Sequence, residues 1–162
     1  MNWKIFWIVV AISVVFIVGG GYVGYKIIGD MNASKDVDKT VVNEPIEKGV
    51  VKIGEGEDAH EFIAEWHTFY NDTLGWGGTQ TYNYKVQRNN AKVILRTLED
   101  VTVKNDKIAE DFKQIKYFAS LVAQDDELSA MIELHRLFHD LDIYFNGYDY
   151  DQTFGVTKFR GN

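Results

Sequence analysis

From Ile5 to Tyr25 the chain runs for 21 residues without a charged side chain, between Lys4 and Lys26. At about 1.5 Å rise per residue, a helix of that length crosses a hydrocarbon core of about 30 Å. Trp3 and Trp7 lie toward one end and Tyr22 and Tyr25 at the other, where amphipathic rings favour the membrane interfaces. A buried helix of a water-soluble core is seldom apolar on every face. Residues 5–25 are therefore expected to span a membrane. The competing reading is a cleavable export signal, which also starts with a short basic tail and a long apolar run. Small residues occur at Gly19, Gly20 and Gly21, but no A-x-A-like site follows. An uncleaved signal anchor is thus preferred.

The flanking charges do not orient this anchor by themselves. Lys4 and the α-amine stand on one side, and Lys26, Lys35 and Lys39 on the other, so a count of basic residues does not favour an inside N-terminus. The form of an export signal does, and it places the C-terminal domain on the extracytoplasmic face of the cell membrane. Gly20 and Gly24 form one G-x-x-x-G, a spacing that lets two membrane helices approach closely and form a homodimer.

Residues 1–28 thus read as tail and anchor. Residues 29–57 are polar, hold the only proline, Pro45, and show no sustained period. They read as a linker, with a short extended piece around Val50–Ile53. From Asp58 the period becomes helical. Asp58 and Glu61 have capping spacing, and Ala59, Phe62, Ile63, Trp66, Phe69 and Tyr70 recur on one wide face. Gly75 ends that helix. A second helix is expected from about Tyr82 to Val101, with Tyr82, Val86, Val93, Ile94, Thr97 and Val101 inward. A third uses Ile108, Phe112, Ile115, Phe118, Ala119 and Val122, and a fourth Met131, Leu134, Phe138, Leu141 and Phe145. Short connections between amphipathic helices predict an all-α domain, an antiparallel bundle of about four helices over residues 58–148. In the tail, 149–162 with the preceding Tyr148, aromatic residues alternate with polar ones. It is expected to lie irregularly across the bundle and cover apolar surface.

Composition excludes several chemistries. There is no cysteine, hence no disulfide, thiolate zinc site, cysteine nucleophile or cysteine-linked lipid. Outside the anchor and linker the serines are Ser120 and Ser129, neither in a G-x-S-x-G elbow. No phosphate loop or dinucleotide fingerprint is present. A net charge of −7 gives no reason to expect nucleic-acid binding. The reading is a non-enzymatic interaction or regulatory module for a protein partner.

Three groups of residues compete to refine it. His135, His139 and Asp142 fall in a stripe about 60° wide, roughly 80° from the centre of the fourth helix's apolar face. An i, i+4 histidine pair with a carboxylate three residues on can hold a divalent ion such as zinc, joined by His67 or His60 if the first and last helices pack together. His60 and His67 are seven residues, or about 10 Å, apart and cannot both bind one ion. The opposing reading, an ordinary helix edge that keeps one nitrogen wet, is preferred. Lys85, Arg88, Lys92 and Arg96 form one exposed stripe on the second helix. It suits anionic lipid headgroups or surface polymer, or simply a solvated face, which is preferred. Trp76, in a glycine-rich turn, is the candidate partner contact.

The layout is a short basic tail, one anchor, a polar stalk and a cysteine-free helical domain. It resembles the small single-pass membrane proteins of unknown function found in Bacillus-type Gram-positive bacteria.

Overall fold

The computed structural model describes residues 45–54, 56–147 and 152–161. The anchor at 5–25, the Gly20/Gly24 pair, the linker up to residue 44, and residues 148–151 lie outside them. Among the described residues no helix is long and apolar enough to cross a membrane.

The domain is mostly helical, with four α-helices as the periodicity predicts: α1 (Ala59–Leu74), α2 (Tyr84–Thr97), α3 (Asp106–Gln124) and α4 (Leu128–Asn146). It is not purely α. Three short antiparallel strands, β1 (Val51–Ile53), β2 (Glu57–Asp58) and β3 (Val101–Val103), form a sheet in the order β2-β1-β3. Lys52 pairs with Asp58 on one side and with Thr102 on the other. Val51 and Ile53 point into the core and Lys52 points out, the period of two expected of a half-buried strand. The end of the polar stretch read as linker therefore belongs to the folded domain. Ile46 is also buried and donates its N–H to the Tyr144 carbonyl at 3.0 Å.

Helix α1 packs against α4, α4 against α3, and α3 against α2. Met131, Leu134, Phe138, Leu141 and Phe145 of α4 are all buried as predicted. From Leu137 to Phe145, however, nine consecutive residues are buried. This stretch of α4 is enclosed on every side rather than on one stripe.

Helix α2 is rotated from the sequence expectation. Val86 and Val93, expected inward, are 40% and 38% exposed, whereas Gln87, Ala91, Ile94 and Leu98 are buried. The helix also starts after Asn83, whose side chain caps the Val86 N–H at 3.3 Å, and ends at Thr97. Val101 belongs to β3 instead. The rotation exchanges two valines for Leu98 and Ala91, with Tyr84 and Leu95 partly buried against the core. The larger apolar area outweighs the valines at about 25 cal/mol per Å².

That choice carries Gln87 into the interior, where neither its Nε2 nor its Oε1 finds a hydrogen-bond partner among the described residues. Burying such a group costs about 1–3 kcal/mol. Gln87→Met preserves length and volume and removes the polar atoms. It should raise stability by about 1 kcal/mol, measured as a higher urea midpoint with unchanged slope; a lowered midpoint would show that the amide is satisfied.

Candidate functional site

The polar residues on α4 organise the centre of the domain. Asp142 is buried, and its Oδ2 accepts the Nδ1–H of His67 on α1 at 2.7 Å. Its Oδ1 accepts from Asn146 Nδ2 at 2.5 Å, and that amide also donates to the His60 carbonyl at 3.0 Å. A carboxylate only accepts, so it fixes the tautomer of His67 and leaves Nε2 as an acceptor. Asn71, one turn along α1, donates its Nδ2 to that nitrogen at 2.9 Å. The Asn71 Oδ1 in turn accepts from His135 Nε2 at 2.8 Å. Asn146, Asp142, His67, Asn71 and His135 therefore form one continuous chain of hydrogen bonds between α1 and α4.

His135 is neutral at pH 7, with its pKa lowered from 6.5 to about 4. Loss of solvent is the largest cause, followed by repulsion from His67, His139 and Arg136. Neutrality suits its role, since it needs one N–H for Asn71. His139 is buried at the side of the same cluster, its ring edge-on to His67 at 5.1 Å and to Phe154 at 4.6 Å. Arg136 lies over the Phe154 ring at 5.7 Å. Burial also pushes the Tyr70 phenol, stacked on Phe138 nearby, well above its ordinary range.

The structure thus brings together the residues considered as metal ligands, His67, His135, His139 and Asp142. Their lone pairs do not converge. Both nitrogens of His67 are engaged in hydrogen bonds, Nε2 of His135 is engaged with Asn71, and the His67 and His135 rings stand 6.2 Å apart. Among the described residues no three histidine, aspartate or glutamate side chains are grouped to hold an ion. His60 lies apart from them, with its Nε2 on the Ile46 carbonyl at 2.8 Å and its ring edge-on to Phe145.

Two further carboxylates hold the C-terminal segment. Asp140, fully buried, accepts the backbone N–H groups of Phe154 at 2.6 Å and Val156 at 3.0 Å. Asp111 of α3, also fully buried, accepts those of Lys158 at 2.5 Å and Phe159 at 3.0 Å. Burial raises the pKa of Asp111, while the two N–H groups and the charges of Arg160 and Lys158 pull it down; desolvation prevails. Phe159 is buried edge-on to Tyr144 at 5.3 Å.

The other candidates are on the surface. Lys85, Arg88, Lys92 and Arg96 are all exposed on α2. Trp76 is 97% exposed and has φ +50°, the left-handed region. Its neighbours explain how the turn closes. A Cβ on Gly75 would meet the Asn71 carbonyl oxygen at 2.4 Å, and one on Gly78 would meet that of Thr73 at 2.6 Å. The chain matches no protein-family model, no curated protein and no solved structure.

Sequence reasoning missed Asn71, Asn146, Asp111 and Asp140. The first two carried a usable signal, since 67/71 and 142/146 are both i, i+4 pairs. The last two bind backbone N–H groups, which leave no mark in a sequence.

Asp140→Ala leaves two N–H groups without their acceptor, at about 1–3 kcal/mol each if they stay buried. The Phe154 and Val156 amides should then exchange with solvent much faster, while the α1 amides keep their protection; unchanged exchange at both positions would contradict this anchoring. For His135, the folded pKa lies below the unfolded one. Its contribution is therefore complete above about pH 6.5 and lost as pH falls toward about 4. Because the ring is partly solvated, the loss is about 1–3 kcal/mol. His135→Gln keeps a donor for Asn71 without titrating. Urea midpoints measured between pH 7 and 4.5 should fall less steeply in this variant than in the wild type.

Proposed function

We propose that this chain is a membrane-anchored, non-enzymatic interaction module. Residues 5–25 hold it in the membrane, and the helical domain stands on the extracytoplasmic side and engages a protein partner through the turn that carries Trp76. The observation that carries this reading is the display of Trp76 itself. An indole left almost wholly in water forgoes the burial that a tryptophan ordinarily gains in its own core. Its left-handed backbone, uncommon for a bulky residue, sits between the two glycines that let the turn close. Tryptophan is also among the residues that most often dominate interface energetics, at about 2 kcal/mol or more when buried by a partner. The central polar chain supports a non-catalytic role, because both nitrogens of His67 and Nε2 of His135 are already engaged in hydrogen bonds within it.

The test is photo-crosslinking of the full chain in native membranes. A probe at Gln80, exposed beside the turn, should give one adduct of defined mass, and an adduct of twice the chain mass would identify a second copy. The same probe at exposed Lys113 should give none. Trp76→Ala should cut the Gln80 adduct by about tenfold, the equivalent of 1.4 kcal/mol. An adduct that is unchanged by Trp76→Ala, or equal at Gln80 and Lys113, rejects the turn as the contact.

A further inference from the structure

Helix α2 is the outermost in the order α1, α4, α3, α2, and its sequence contains no acidic residue. At about 100° per residue, its buried positions 87, 91, 94 and 98 share one side. The opposite arc presents Arg88, Lys92, Lys85 and Arg96 in turn, then Asn89, then Val93 and Val86. All seven are exposed. Lys92, Leu95 and Arg96 line an open, mostly apolar depression of about 360 Å³. The Arg96 Nε–H is held on the Lys92 carbonyl at 3.2 Å. Glu99 and Asp100, both exposed, follow the helix at its C-terminal end.

Charge is also unevenly distributed along the sequence. Residues 84–124 carry eight basic and five acidic side chains, whereas residues 57–83 and 125–162 together carry three basic and thirteen acidic. The four exposed cations on a helix without acids attract an anionic surface locally.

We propose that the outward face of α2 docks on anionic lipid headgroups of the bilayer in which the chain is anchored; the second half of this statement rests on the reading of residues 5–25 given above. The four basic residues meet headgroup phosphates, with Lys92 and Arg96 flanking one of them over Leu95. Val86 and Val93 lie along one edge of the basic stripe, where they enter the boundary between headgroups and acyl chains, as the apolar flank of an interfacial helix does. The valines favour lipid over a soluble polyanion, which offers them no apolar phase. Tethering removes most of the cost of bringing the face to the surface, because the second contact is intramolecular.

The cysteine-free chain permits a clean test with single labels. A donor dye at Asn89→Cys on the full chain, in nanodiscs carrying acceptor-labelled headgroups, reads the approach of α2 to the bilayer. Glu65→Cys on α1 is the control. Transfer from residue 89 should rise at least about twofold when about a third of the neutral phosphatidylcholine is replaced by phosphatidylglycerol. It should fall back near 1 M salt, where screening acts within about 3 Å. Lys92→Glu with Arg96→Glu should abolish the rise, and Val86→Ser with Val93→Ser should reduce it, with thermal unfolding of the domain unchanged in both. Equal transfer in neutral and anionic discs overturns the proposal. So does a full signal in the serine variant that added polyphosphate removes, since the partner would then be a polyanion. Co-elution of chain and disc reads the anchor independently. A chain that stays outside the discs but shows lipid-dependent transfer on anionic vesicles refutes the anchor and retains the docking face.

Discussion

The domain is built around the burial of α4. A helix enclosed on all sides must pair the charges it carries, because an unpaired buried charge costs several kcal/mol. Within the enclosed stretch, α4 carries His139, Asp140 and Asp142. Each aspartate is matched by donors from elsewhere in the chain: His67 for Asp142, and the tail N–H groups at 154 and 156 for Asp140. The demand placed by α4 thus recruits α1 on one flank and an otherwise irregular segment on another. Asp111 of α3 fastens the end of that segment in the same way.

The parts of this arrangement legible in the sequence are those in which side chains of one type repeat. Met131, Leu134, Phe138, Leu141 and Phe145 announce the inner face of α4, and 135, 139 and 142 share a stripe of the same helix; that α1 brings His67 to that stripe is a long-range contact the sequence does not fix. The periodicity of α2 points Val86 and Val93 inward because they are more apolar than Gln87, yet the rotation that buries Leu98, Ala91 and part of Leu95 removes more apolar surface from water. Val101, the first residue of β3, reads as the last turn of the preceding helix because it continues an apolar pattern without a proline or glycine to mark the break. Pairing with Val51–Ile53 is a long-range event, and local propensity carries no information about it.

A helix at the edge of a row has a second consequence. Since α2 needs only one side for the core, its remaining arc is free to carry charge of one sign without burying any of it. Along the sequence the acids are most frequent in α1, around the start of α4 and after it. The order of packing that encloses α4 also leaves one side of α2 open to solvent.

The two aspartates also determine how α4 is rotated. Residues two apart on a helix point about 200° from one another, which sends Asp142 toward α1 and Asp140 toward the tail. Apart from the three polar residues, the positions from Leu137 to Phe145 are aliphatic or aromatic, the Tyr144 hydroxyl being their one polar atom, so hydrophobic burial alone discriminates poorly among rotations of this stretch. A turn of the helix by one residue, about 100°, would keep much of that burial. It would also move both carboxylates off their donors and into apolar surroundings, at several kcal/mol for each. Leucine and phenylalanine drive α4 into the interior, and the hydrogen bonds to His67, Phe154 and Val156 select the one rotation in which it stays there.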